Sequence, residues 1–83
     1  MTDRDRELLE VLAGQDGFKS VPVLQYYHPQ LRQYSKHQLF ASAAVLIKAA
    51  LALRTVASIE REARYRISDD GLAMVQSGNQ LRH

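Results

Sequence analysis

Residues 64–75 read Arg64-Tyr65-Arg66-Ile67-Ser68-Asp69-Asp70-Gly71-Leu72-Ala73-Met74-Val75. The first four alternate polar and apolar, the period of a strand, with Tyr65 and Ile67 on one face and both arginines on the other. Ser68 then reads as a helix N-cap, and Asp69 and Asp70 place carboxylates at the positive end of the helix dipole. Ile67 and Leu72 stand in staple positions around that cap. Leu72 and Val75 face inward, and Gly78 is expected to stop the helix. A strand that turns into a final helix with no intervening loop is the feature around which the rest arranges itself.

Upstream, Leu53-Arg54-Thr55-Val56-Ala57-Ser58 holds β-branched residues in loose alternation. Ile59-Glu60-Arg61-Glu62-Ala63 would be the loop of a hairpin joining it to Arg64–Ile67. That loop has no glycine and consists of good helix formers. The reading favours a hairpin over a helix continued through Ser58–Arg66, which would make the chain an all-helical bundle.

Further upstream the helix signals are local and strong. Ser35 opens a long helix with Gln38 as its capping-box partner, and Tyr34 and Leu39 are placed as a staple. Leu39, Ala43, Leu46, Ile47 and Ala50 share one face of this helix, with Phe40 at its flank. Ala41, Val45 and Ala49 lie roughly opposite. Ser20 caps a short helix of about two turns, with Pro22 inside its first turn and Pro29 disfavouring helix at His28. His28 to Tyr34 is a connector. Phe18-Lys19 is a strand fragment. The first helix is capped by Thr2 with Asp5 three residues on, carries the stripe Leu8, Leu9 and Leu12, and ends with Gly14 at the C′ position of a Gly14–Gly17 turn. On the short helix, Tyr26 and Tyr27 point about 100° apart and make no common stacking platform. One of them is expected in the core.

Composition sets the outer limits. The chain has 83 residues, 46% hydrophobic residues, no cysteine and a formal charge of +2. Residues 1–83 read as a single domain. Neither a disulfide framework nor a thiolate metal site is available. The charged N-terminus, Met1 to Glu7, lacks the apolar core of a signal peptide. The most apolar stretch, Leu39 to Leu53, contains Lys48 and is too short to span a bilayer. A cytoplasmic location is expected. The histidines His28, His37 and His83 stand at no metal-ligand spacing, and Gly14-Gln15-Asp16-Gly17 follows a helix and lacks the Lys-Ser/Thr of a phosphate loop. No enzyme activity and no cofactor are expected.

The order is helix, strand fragment, short helix, long helix, hairpin, helix. Ending in Tyr65-Arg66-Ile67-Ser68-Asp69-Asp70-Gly71 and Val75, it resembles the winged helix-turn-helix domains of small bacterial, archaeal and phage transcription regulators. In that family a strand of the form Y-x-[LI]-[TS] runs into D-x-G-x-x-x-[LV]. Leu46–Val56 is similar to the family's exit from its recognition helix into the first wing strand. The chain departs from the pattern at Ala50, where glycine is usual, at the glycine-free wing tip with Glu60 and Glu62 beside Arg61, and in the length of the His28–Tyr34 connector.

The resemblance implies an α+β fold: a three-helix core, a small antiparallel wing hairpin and a C-terminal helix. It implies sequence-specific binding of double-stranded DNA by a transcriptional regulator, with repression the expected output and a homodimer the expected state. The third helix would present Ser35, Lys36, His37, Gln38 and Ser42 to the major groove. Glutamine pairs with adenine and lysine with guanine, although the capping box alone accounts for Ser35 and Gln38. Arg61 at the wing tip and Arg64 and Arg66 on its outward face would reach phosphates, unless Glu60 and Glu62 merely neutralise Arg61 and Arg64 as a solvated charge run. Arg32 in the connector is a further phosphate candidate, or an exposed solubilising residue. The alternative is a protein–protein adaptor that uses the apolar outer face of the third helix, where Ala41 and Val45 would meet a partner chain rather than thymine methyls.

Overall fold

The computed structural model describes residues 1–56 and 61–81. Its elements run α1 (Asp3–Ala13), β1 (Lys19–Ser20), α2 (Val21–Tyr27), a 3-10 turn (Pro29–Gln33), α3 (Lys36–Lys48), β2 (Ala52–Val56), β3 (Ala63–Ile67) and α4 (Asp69–Leu81). It is a small α+β arrangement of four α-helices and a three-stranded antiparallel sheet of order β1-β3-β2. Residues 63–67 are strand, so the helix alternative fails over the described part of Ser58–Arg66. Ala57 and Ser58, the expected end of the first hairpin strand, and the first two residues of the expected loop, Ile59 and Glu60, lie outside the described residues.

Each helix starts where its cap predicts. Thr2 Oγ1 accepts from Asp5 N at 3.2 Å while Thr2 N donates to Asp5 Oδ2 at 3.1 Å. Ser20 Oγ accepts from Val23 N at 3.4 Å, and Pro22 sits in the first turn of α2, where it forfeits no hydrogen bond. At α3, Ser35 Oγ accepts from Gln38 N at 3.1 Å and Ser35 N donates to Gln38 Oε1 at 2.8 Å. Ser68 Oγ accepts from Gly71 N at 3.0 Å and donates to Ala50 O at 2.7 Å, so one hydroxyl caps α4 and ties it to the end of α3.

The exit from α3 is a Schellman turn built on alanine. Leu51 N donates to Leu46 O at 2.8 Å and Ala50 N to Ile47 O at 3.0 Å. This needs a left-handed residue, and Ala50 supplies it at φ 62°. The helix therefore ends as sharply as a glycine would end it, with the strain held on a Cβ-bearing residue. Gly71 answers a different demand. A Cβ there would lie 2.1 Å from Leu51 O, the oxygen that accepts from Ser68 N.

Three expectations about small or aromatic residues are corrected. Gly14 is the C-cap of α1 at φ −90°, and the left-handed residue of that turn is Gly17 at φ 70°. Gly78 does not stop α4, which continues to Leu81. Tyr26 and Tyr27 are 70% and 67% exposed and meet edge to face, so neither joins the core. The short α2 already buries Val21 and Leu24, and no third inward position is left for an aromatic ring.

The core forms where the apolar faces converge. Leu8, Leu9, Val11 and Leu12 of α1 meet Leu39, Ala43 and Leu46 of α3, Val21 and Leu24 of α2, and Ala52, Tyr65 and Ile67 of the sheet. Leu72 and Val75 of α4 pack on it from outside. Burial of each large side chain contributes about 1.5–3 kcal/mol. Leu31, fully buried, anchors the connector between α2 and α3. Gln25 Nε2 donates to Tyr34 O at 3.0 Å, and Arg32 donates to Gln25 O at 2.8 Å and to Tyr26 O at 2.7 Å. The longer connector is thus a fixed brace that sets the start of α3 against the end of α2.

Candidate nucleic-acid interface

The N-terminus of α3 carries four of the expected contact residues, and their geometry divides them. Ser35 Oγ and Gln38 Oε1 are engaged in the capping box. Bidentate pairing with adenine needs both the oxygen and the nitrogen of the Gln38 amide, so in this geometry Gln38 serves as a cap. Lys36 and His37, at the first two helical positions, are exposed. Just before the cap, Tyr34 donates its hydroxyl to Glu7 Oε2 at 2.8 Å. That bond to a carboxylate raises the Tyr34 pKa above its ordinary value and fastens the start of α3 to α1.

Ser42 is not a groove-facing residue. It is fully buried, and Arg4 Nε donates to its Oγ at 2.7 Å. It also hydrogen-bonds the buried carboxylate of Asp5. Burial pushes the Asp5 pKa up, but the hydrogen bonds from Ser42 and from Thr2 outweigh it and hold the group below its ordinary value. The reason is positional: Ser42 stands three residues after Leu39 and four before Leu46, on the core stripe. It joins α3 to α1.

In the hairpin, directly opposed residues share a face. Arg66 opposes Leu53 and Arg64 opposes Thr55, while Tyr65 opposes Arg54 and Ile67 opposes Ala52. The outer face therefore carries Arg64 and Arg66. Arg66 is exposed, its guanidinium carbon 5.6 Å from the centre of the Phe18 ring. Arg64 is half-buried and already engaged by neighbours. Arg61 is exposed at φ 52° beside the undescribed residues of the loop. Arg32 is exposed, but it donates to the last carbonyls of α2 and acts there as a C-terminal cap.

The groove between the hairpin and α3 brings in two cations outside the expected contact set, Arg54 and Lys48. Arg54 projects on the α3 side, beside Tyr65. Burial raises the Tyr65 pKa, and the Arg54 charge pulls it partly back. Phe40 of α3 lies across from the Tyr65 ring, centroids 6.5 Å apart. Between α3 and β2 runs an open groove of about 610 Å³, lined by Ala44, Lys48, Leu53 and Arg54 among others. A signal for both cations was present. From Gly17 to Ile59 the sequence contains no Asp or Glu, and its charged residues are Lys19, Arg32, Lys36, Lys48 and Arg54.

The outward side of α3 is thus a strip running from His37 through Phe40, Ala41, Ala44 and Val45 to Lys48, all exposed. It is apolar in the middle, with the His37 imidazole at one end and the Lys48 ammonium at the other. Among the described residues there is no group of three or more His, Asp or Glu placed to hold a metal, and no helix long and apolar enough to cross a membrane. No family model and no curated protein sequence matches this chain.

Proposed function

We propose that the chain is a winged-helix domain that binds double-stranded DNA as a sequence-specific transcriptional regulator. In this reading α3 is the recognition helix and the β2–β3 hairpin is the wing. The observation that carries it is an exposed, carboxylate-free face of α3 beside a hairpin that bears Arg54 on the α3 side, Arg64 and Arg66 on its other face and Arg61 in its loop. A helix and a cationic ribbon side by side match a major groove and the phosphates beside it. The module binds rather than catalyses, and repression follows from occupying a promoter. It would act in the cytoplasm, where bacterial and archaeal chromosomes lie.

A domain of this size covers little DNA, and two-fold pairing on a palindromic site raises affinity. A groove of about 220 Å³ between α1 and α4, lined by Met1, Arg6, Leu9, Glu10, Met74, Val75 and Gly78, supports that pairing. A two-fold contact across this groove has an apolar centre supplied by Met1 and Met74, each about half exposed.

The adaptor reading keeps one specific support: Phe40, Val45, Leu53 and Val56 are 38–50% exposed. A salt titration separates the two. Under the DNA reading, the logarithm of affinity for duplex DNA falls linearly with the logarithm of salt concentration, and Lys36→Ala and Lys48→Ala each flatten the slope by about 0.9. Absence of duplex binding at low salt would leave the adaptor.

A further inference from the structure

A base-reading helix is expected to show donors and acceptors, and beyond Lys36 and His37 in its first turn the outward side of α3 shows carbon. Phe40, Ala41, Ala44 and Val45 are exposed along its outward side. The hydroxyls and amide that share the helix are engaged elsewhere: Ser35 and Gln38 in the cap, Ser42 with Arg4. What brackets the apolar strip is positive charge, Lys36 at one end and Lys48 with Arg54 at the other. At 1.5 Å per residue the two lysines stand about 18 Å apart along the axis, close to five steps of about 3.4 Å along a duplex strand.

A surface with cations at its ends, carbon between them and no carboxylate along its length fits a polyanion whose groove has apolar features. In the major groove that feature is the C5 methyl of thymine. A protein partner with an apolar face satisfies the middle of the strip but leaves the flanking charges unused. We infer that this chain selects its DNA by thymine methyl groups packed against Phe40, Ala41, Ala44 and Val45, rather than by hydrogen bonds to base edges. The target class is then a run of A·T pairs rich in methyls on the groove floor. The inference rests on the duplex-DNA reading above and adds the chemistry that supplies specificity.

The test uses the full chain and a duplex enriched by it from a random-sequence pool. That duplex is synthesised in two forms, one with thymine and one with deoxyuridine, which keeps every hydrogen-bonding group and lacks only the methyl. Each buried methyl is worth about three- to four-fold in affinity, so losing two weakens binding by about ten-fold. Val45→Ser, at an exposed position outside the core, shrinks the difference between the two forms. Lys36→Ala weakens both forms and leaves their ratio unchanged. Equal affinity for the two forms overturns methyl readout while leaving DNA binding intact. A ratio that survives Val45→Ser and the companion Ala41→Ser overturns it too. If no duplex is enriched, the DNA reading falls and the inference falls with it.

Discussion

Two residues on either side of one junction carry opposite conformational demands. Ala50 holds φ 62° where glycine pays no Cβ penalty. Ala50→Gly is therefore expected to stabilise the fold by about 0.5–1 kcal/mol, the left-handed strain relieved exceeding the added unfolded-state entropy. Thermal unfolding followed by circular dichroism should show the midpoint rising by about 2–8 °C. Gly71 is the reverse case, since an added Cβ collides with the Leu51 carbonyl. Gly71→Ala is expected to cost about 3 kcal/mol, because the neighbour is backbone and cannot swing away. Asp5 adds a pH signature. Its carboxyl has a depressed pKa in the folded chain, so its contribution is full above the unfolded pKa of about 4 and is lost as pH falls through the folded value. Asp5→Asn should be less stable than the parent by about 1 kcal/mol at neutral pH. Urea unfolding should show that gap closing toward pH 3, and a gap independent of pH would contradict the hydrogen-bonded carboxylate.

At the scale of elements, the helix starts were legible because a cap involves only four or five consecutive residues. Thr2, Ser20, Ser35 and Ser68 all cap where the sequence places them. The strand of 63–67 and its facing pattern were legible for the same reason, since alternation is local. What the sequence concealed depended on what lies across the gap. Gly78 reads as a stop, yet nothing in its surroundings ends α4 there, and the helix runs on at the modest cost of one internal glycine. One of Tyr26 and Tyr27 looks like a core residue until Val21 and Leu24 are seen to fill the inward side of α2. Ser42 read as a contact residue from its place on the third helix, whereas its spacing from Leu39 and Leu46 already placed it on the buried stripe. Arg54 does not read as a site residue, because which face it takes is set by its register opposite Tyr65. The connector is an element in its own right. Leu31→Ala, at a fully buried position, is expected to cost about 2–5 kcal/mol. The same variant should loosen the α2–α3 brace, visible as faster amide exchange at Gln25 and Tyr34 than a uniform loss of stability gives.

At the scale of the whole molecule, the separation of charge organises the proposed function. Acidic residues sit between Asp3 and Asp16, at Glu60 and Glu62, and at Asp69 and Asp70, and the 43-residue run between the first two groups has none. A net charge of +2 therefore understates the local field over α3 and β2. Under the proposed reading this side meets DNA while α1 and α4 meet a second copy. Met74→Glu, at a half-exposed position of that groove, should then shift the chain toward monomer in sedimentation. The central claim is that the α3–hairpin side is the one a duplex covers. Amide and side-chain NMR shifts recorded as duplex DNA is added test it directly. The account predicts the largest changes at Lys36, His37, Phe40, Ala41, Ala44, Val45 and Lys48 and at Arg54 and Arg61, with α1 and α4 little moved. Changes concentrated on α1 and α4, or none at saturating duplex, would contradict it.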